Sequence, residues 1–507
     1  MARIAVIGAG MGAMATAARL AVAGHRVVVY ERAATYGGAV GRFERDGFAF
    51  DTGPGLLPLP AVYRDLFVKT GKQPLEECVE LVQVDPSSRH LFADGTQVSL
   101  PNASRAGVVT ALDEALGAGA GKRWGDFLVR AREAWDRTRR PLLEEPLWPN
   151  WSVLADREPY PSVPHKKLLR TRRATTLAEV AAWELRDPRL TALLESHALA
   201  YGLDPRTSPA AAAVLPYMEH AFGTWYVRGG IRELARAVYE RCLARGVEFH
   251  FEARVERIVE KDGRAAGVEP AGGTSQAFSS GGGTVADADF VVAGVAPGVL
   301  DSLVPGTAIR GAGEVSPQRG APSRLTVLLA LRGGRPEGVA HRTVVHAADR
   351  EDELGRLFGE RPGLPAAPTV MVSRPDDPAL VPDAEHEAVT LTVTVPSGLP
   401  VSESEVERVL GVAERAIPDL RDRLLWHEVR TPADIAEATG ADGGAVPAPA
   451  LAAADGRLLH PSNGTRMPGL FAAGGWAHPG GGLPHAGMSG ALVAGLIVEG
   501  PEFRGSQ

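Results

Sequence analysis

The chain opens on a short apolar run, Ile4–Ile7, followed by glycines and then by an Ala- and Leu-rich stretch, Met11–Ala23, that holds no proline. A brief run of apolar residues with no polar alternation suits a strand buried on both faces, whereas the longer stretch has the length of a helix. Gly24 closes that helix, and a second apolar run, Arg26–Glu31, ends on an acid. Strand, glycine turn, helix and strand thus fit within about 30 residues, the span of one βαβ unit.

The same texture returns twice. A Gly229–Gly230 turn leads into a helix expected to reach Arg245, a strand over Val247–Phe251, a hairpin turning at Asp262–Gly263 and a buried strand over Phe290–Ala296. The Gly/Ser-rich stretch Gly272–Gly283 within it is expected to be a flexible loop. Near the C-terminus, a strand over Leu470–Ala473, a glycine loop over Gly474–Gly482 and a helix over Met488–Val498 are predicted. Two intervening segments differ. Pro74–His220 is expected to be mainly helical and holds the Trp/Pro-rich "PLWPNWSVLADREPYPSVP". Ala321–Asp442 carries alternating strands in "SRLTVLLALRG" and "AVTLTVTVP", and a helix started by a Ser402/Glu405 capping box. The apolar stripe Val406, Val409, Leu410, Ala413, Ile417 and Leu420 follows. An antiparallel sheet carrying helices is the layer this implies.

The first turn has recognisable chemistry. Gly8, Gly10 and Ala13 match G-x-G-x-x-A. The first position permits the tight turn, the second lets backbone approach a pyrophosphate, and the small third allows close helix–strand packing. Free N–H groups and the positive dipole end of the helix then face the phosphates. Glu31 lies about 20 residues on, where a carboxylate accepts ribose hydroxyls. "GAGAGKRWG" is no second phosphate loop, because Leu116 and Arg123 stand where Gly and Ser/Thr are needed.

With 507 residues, 45% hydrophobic and 23% charged, the chain has the make-up of a soluble globular protein of two or three domains. A net charge of −7 argues against a nucleic-acid partner. Cys78 and Cys242 form neither a metal cluster nor a disulfide framework, so no metal and a reducing cytoplasm are expected. No apolar run approaches the length of a membrane span.

Three blocks together resemble the flavin amine oxidase and phytoene desaturase superfamily, specifically its phytoene desaturase-like branch. They are the N-terminal motif with Gly37–Gly38 and "GFAFDTGPGLLPLP", the central "WYVRGGIREL", and "GLFAAGGWAHPGGGLP". The resemblance implies an α/β, doubly wound FAD-binding Rossmann-like domain of the GR2 type with an α+β substrate domain. The FAD-binding parts would be 1–73, 221–300 and 455–507, and the substrate parts 74–220 and 301–454. It further implies that Gly8, Gly10, Ala13, Glu31, Arg32 and Gly38 hold the adenosine and pyrophosphate of FAD. Gly53, Pro54, Gly475, Gly482, Leu483 and Pro484 would line the flavin, and Val255 would present its backbone to the adenine. Ala39 stands where the family often has a basic residue, and Arg42 is the candidate to replace it at the pyrophosphate.

The implied activity is hydride transfer between flavin N5 and a lipophilic polyene or isoprenoid, by desaturation or isomerisation. Reductive cyclisation of a polyene, amine oxidation and a non-enzymatic lipid escort are the alternatives. Near the flavin, Trp476, His478, His485, Trp225 and Tyr226 are the candidate groups. Either histidine serves as a general acid/base titrating near neutrality or only bonds backbone or cofactor; the tryptophans suit cavity walls. The basic segment from Lys166 to Arg173 is either a peripheral membrane anchor or a solvated face.

Overall fold

The computed structural model describes residues 1–507 except 148, 150, 157, 166, 272–284, 305–320, 454–455 and 506–507. The glycine-rich loop at 272–283 and Lys166 therefore lie outside the described residues.

The apolar runs form one five-stranded sheet in the order Glu248–His250, Arg26–Tyr30, Arg3–Ile7, Phe290–Ala293, Leu470–Ala472. Every pairing in it is parallel, Ile4 lying beside Val27 on one side and Phe290 on the other. Strands distant in sequence meet because each is apolar on both faces and must be covered twice. Helix Met11–Val22 contributes nine buried residues, most of them Ala, Gly or Met. This small-residue face lets the last helix, Leu483–Val498, cross it closely. A Cβ on Gly490 would stand 2.7 Å from the Ala15 Cβ and 2.8 Å from the Gly12 carbonyl oxygen. The last helix starts at Leu483, five residues before the predicted Met488, because Pro484 is accommodated in its first turn, where no backbone N–H is needed.

The second sheet has seven strands in the order Leu424–Arg430, Ser323–Arg332, His386–Val395, Val370–Ser373, Arg342–Val345, Ser88–Leu91, Gln97–Leu100. Its pairings are antiparallel except Arg342–Val345 with Ser88–Leu91. The last two strands come from Pro74–His220, which is therefore not helical throughout. "SRHL" and "QVSL" are four-residue strands whose mixed polarity hides them in the sequence.

Alternation along the long strands sets two unlike faces. Leu325, Val327, Leu329 and Leu331 join Val389, Leu391, Val393 and Val395 under Val406, Val409, Leu410 and Ala413 of the capped helix Glu403–Ala413. Glu405 accepts the Ser402 N–H at 2.7 Å, completing the predicted cap. Ile417 and Leu420 are buried in the same cluster but lie beyond the end of that helix. On the opposite face Arg324, Thr326, Thr390, Thr392 and Thr394 look into a cavity. Among the described residues no helix is long and apolar enough to cross a membrane.

Candidate functional site

One cavity of about 1290 Å³ runs from the first glycine turn to the threonine face of the second sheet. Drug-sized pockets span roughly 300–1,000 Å³, so there is room for an extended cofactor and a second molecule.

At its first end lie Gly8, Gly10, Ala13, Glu31, Arg32, Gly38, Arg42 and Val255. Gly8 has φ +91° and donates its N–H to the Tyr30 carbonyl at 2.8 Å, tying the turn to the neighbouring strand. A Cβ on Gly10 would meet no atom within 4 Å, so the helix N-terminus faces open space with no side-chain cap. Uncapped N–H groups beside an open cradle fit a pyrophosphate. Ala13 packs against Gly294, whose added Cβ would come within 2.7 Å of the Ala13 Cβ. The Glu31 carboxylate is buried and accepts the Ala9 N–H at 2.7 Å and the Ala33 N–H at 2.8 Å. Each oxygen retains a lone pair for a ribose hydroxyl.

Arg32 reaches outward to the Glu437 carbonyl. Arg42 donates to the Gly229 carbonyl at 3.1 Å and pairs with Glu44 at 2.7 Å, so its charge is already partnered. Sequence reasoning missed Arg232, which also lines this end. Its guanidinium donates to the Tyr36 carbonyl, to the Val40 carbonyl at 2.9 Å and to Thr35 Oγ1 at 2.6 Å, gripping the loop that carries Gly37 and Gly38. "WYVRGGIREL" contained it, but only the fold shows that its side chain reaches back almost 200 positions.

The middle of the cavity is lined by Gly53, Pro54, Trp476, Gly475, Gly482 and Leu483, with Asp51 beside them. Pro484 is buried in the helix and is not among the lining residues. The other four candidate groups, His478, His485, Tyr226 and Trp225, are not either; Trp225 donates its indole N–H to the Phe222 carbonyl at 3.1 Å. His478 is fully buried, its Nε2 2.9 Å from the Glu145 carbonyl, and burial pulls it down to about 4. His485 is buried in the last helix, and burial pulls it to about 3. Burial disfavours the imidazolium of both, because it would be desolvated without a counter-charge. Tyr226 donates to Asp377 at 2.7 Å within the core; burial and that carboxylate raise its hydroxyl far above the usual range. The lining groups that do sit near neutrality are carboxyls: burial raises Asp51 to about 6 and Glu353 to about 7.

The far end is bounded by helices Pro188–Ala200 and Val214–Phe222 against the second sheet. Leu199, Leu215, Met218, Val344 and Met371 supply apolar walls. Among them Arg342 forms a two-pronged pair with Glu219, one prong 3.1 Å and the other shorter. Burial alone would raise Glu219, but Arg342 and His197 beside it bring it below its usual value.

The flavin containing amine oxidoreductase family matches residues 14–498. Among curated relatives, a hydroxyneurosporene desaturase of Rhodobacter capsulatus is 30% identical over 98% of this chain and 97% of its own. A 4,4'-diapolycopene oxygenase of Methylomonas is 29% identical over 98% of both. Among solved structures, an oxidoreductase from Methanosarcina mazei aligns with TM-score 0.63 at 18% identity, covering 97% of this chain and 99% of that one. A putrescine oxidase aligns at 0.62 with 12% identity, covering 98% and 99%, and shares the fold. The chain belongs to the flavin containing amine oxidoreductase family, in its phytoene desaturase-like branch, and is an FAD-dependent oxidoreductase.

Proposed function

We propose that this enzyme desaturates a long, lipophilic polyene by passing a hydride from a substrate C–H to FAD. The observation that carries this reading is the single cavity: a dinucleotide cradle at Gly8–Glu31 opens without a break onto an apolar-walled chamber beyond Gly482. One relative, matched over 98% of the chain, is named a hydroxyneurosporene desaturase, and another, matched over 80% of it, a zeta-carotene-forming phytoene desaturase.

Residues of the chain divide the work. Glu31 and the N-terminus of Met11–Val22 would hold the adenosine and pyrophosphate, and Val255 would border the adenine. Gly53, Pro54, Gly475, Gly482 and Leu483 would lie along the flavin. When bound, the flavin supplies an electron-pair acceptor at N5. Leu199, Leu215 and Met218 exclude water and lay the substrate chain along the ring, where orientation rather than acid/base strength governs the rate. The proton lost with the hydride would pass to a basic group at the cavity wall or to water; neither His478 nor His485 is among the lining residues.

The test is product analysis. Holoenzyme incubated with a partly saturated carotenoid under air should yield a product lighter by two hydrogens with a longer-wavelength absorption. An unchanged substrate across hydrocarbon and oxygenated carotenoids would refute the reading.

A further inference from the structure

The chamber roof is more polar than a pure hydrocarbon requires. Arg324, Thr326, Thr390, Thr392 and Thr394 all point into it from two neighbouring strands, Arg324 opposite Thr394 and Thr326 opposite Thr392. Arg324 differs from the other charged groups there. Arg342 at the other side of the roof has Glu219 as its counter-charge. Arg324 donates only to main-chain carbonyls, that of Ser323 at 3.0 Å and that of Ala200, and no carboxylate among the described residues pairs with it. Burial lowers it to about 10, so it keeps its proton near neutral pH. A cation enclosed without a counter-ion is costly, and two carbonyl contacts leave part of its planar donor fork unused.

Its position is informative. The Arg324 charge acts on Tyr201, which also lines the cavity. A Cβ on Gly482 would stand 4.0 Å from Tyr201 Cε1, so this pair lies close to the loop that opens the last helix. A guanidinium fork matches the two oxygens of a carboxylate, and in an enclosed site such a bond is stronger than between neutral groups.

We propose that Arg324, with Tyr201 beside it, binds a carboxylate carried by the polyene and thereby selects acidic polyenes over neutral ones. This rests on the polyene reading and adds a substrate class to it. The probes are all-trans-retinoic acid and its methyl ester, which share a conjugated chain and differ in charge. Binding to oxidised holoenzyme is followed by perturbation of the flavin spectrum. The acid should bind at least about tenfold more tightly than the ester, as one charge-assisted contact provides. Arg324→Gln should abolish that preference while FAD content stays unchanged, and Arg324→Lys should retain part of it. Equal binding of acid and ester by the unaltered enzyme would overturn the Arg324 proposal and leave polyene binding standing. Binding of neither would overturn both. Loss of FAD in the Gln and Lys variants alike would assign Arg324 to the cofactor and overturn it.

Discussion

Asp51 accepts the backbone N–H of Arg232 at 3.2 Å and that of Ile231 at 2.9 Å, joining segments 181 and 180 positions apart. The carboxylate thus caps helix Arg232–Ala244, and the first side chain of that helix grips the loop at Thr35–Val40. One acid fixes the start of a helix, and the helix fixes half of the cofactor cradle. Asp51→Ala should lower stability by about 1 kcal/mol, as lost caps do, and weaken FAD retention. Denaturant titration and FAD release measure the two effects.

Asp51 also predicts a pH dependence. Its carboxyl is raised by burial from 3.8 to about 6. Between those values the unfolded chain gives up its proton first, so this group's contribution to stability falls as pH rises from about 4 to about 6 and is constant above. The total is roughly 3 kcal/mol at 1.36 kcal/mol per unit. Asp51→Asn should remove this slope. Stability of the unaltered protein minus that of the Asn variant should be larger at pH 4.5 than at pH 7; a constant difference contradicts it.

Glu31 spans the Ala9 and Ala33 N–H groups and reaches the cavity. Glu31→Ala should weaken FAD binding by about 10- to 100-fold, the equivalent of about 1.4 to 2.8 kcal/mol for a lost charge-assisted bond. Flavin fluorescence on dilution reads the release, and unchanged affinity would remove Glu31 from the ribose.

His460, His478 and His485 are held near 4, 4 and 3 by burial. Neutral in the folded state, they stabilise the protein fully above the unfolded value of 6.5, and that contribution is lost as pH falls towards about 4. Imidazole resonances of the folded protein should show no titration of these three between pH 5.5 and 8. His485→Phe should leave any inflection of the kcat profile in that range where it was. A shift of the inflection would restore His485 as an acid/base.

The basic segment makes a fourth case. Lys167–Arg172 is a strand paired with Val163–His165, and the Arg172 guanidinium lies 4.1 Å over the Trp183 ring. Arg172 is thus committed to packing, which leaves Arg170 and Arg173 as the cations of this segment with described side chains. If they touch a membrane, the protein should co-sediment with anionic vesicles at low salt and be released as salt rises. Binding indifferent to salt and to Gln substitution contradicts the contact.

Much of this was legible in the sequence where a local pattern carries its own physics. Gly8, Gly10, Ala13 and Glu31 are set by spacing, and "TLTVTV" alternates because a strand has two faces. What stayed hidden depends on tertiary enclosure. A histidine's titration is decided by what surrounds it, and the burial that lowers His478 and His485 is not readable from their place in the glycine-rich loop and helix. Arg42 and Arg232 are both cations near glycine pairs; only the fold shows that Arg42 is neutralised by Glu44 while Arg232 closes on the Tyr36 carbonyl. The short strand Ser88–Leu91 gains its place in the sheet from Arg342–Val345, far along the chain, and Gln97–Leu100 joins the edge as its hairpin partner.

The most direct measurement is anaerobic mixing of the oxidised, FAD-loaded enzyme with partly saturated carotenoids, with acidic polyenes and with small amines, following flavin absorbance near 450 nm. Bleaching by a polyene, with one new double bond formed per flavin reduced, is the predicted result. Bleaching by a small polar amine alone would contradict the account.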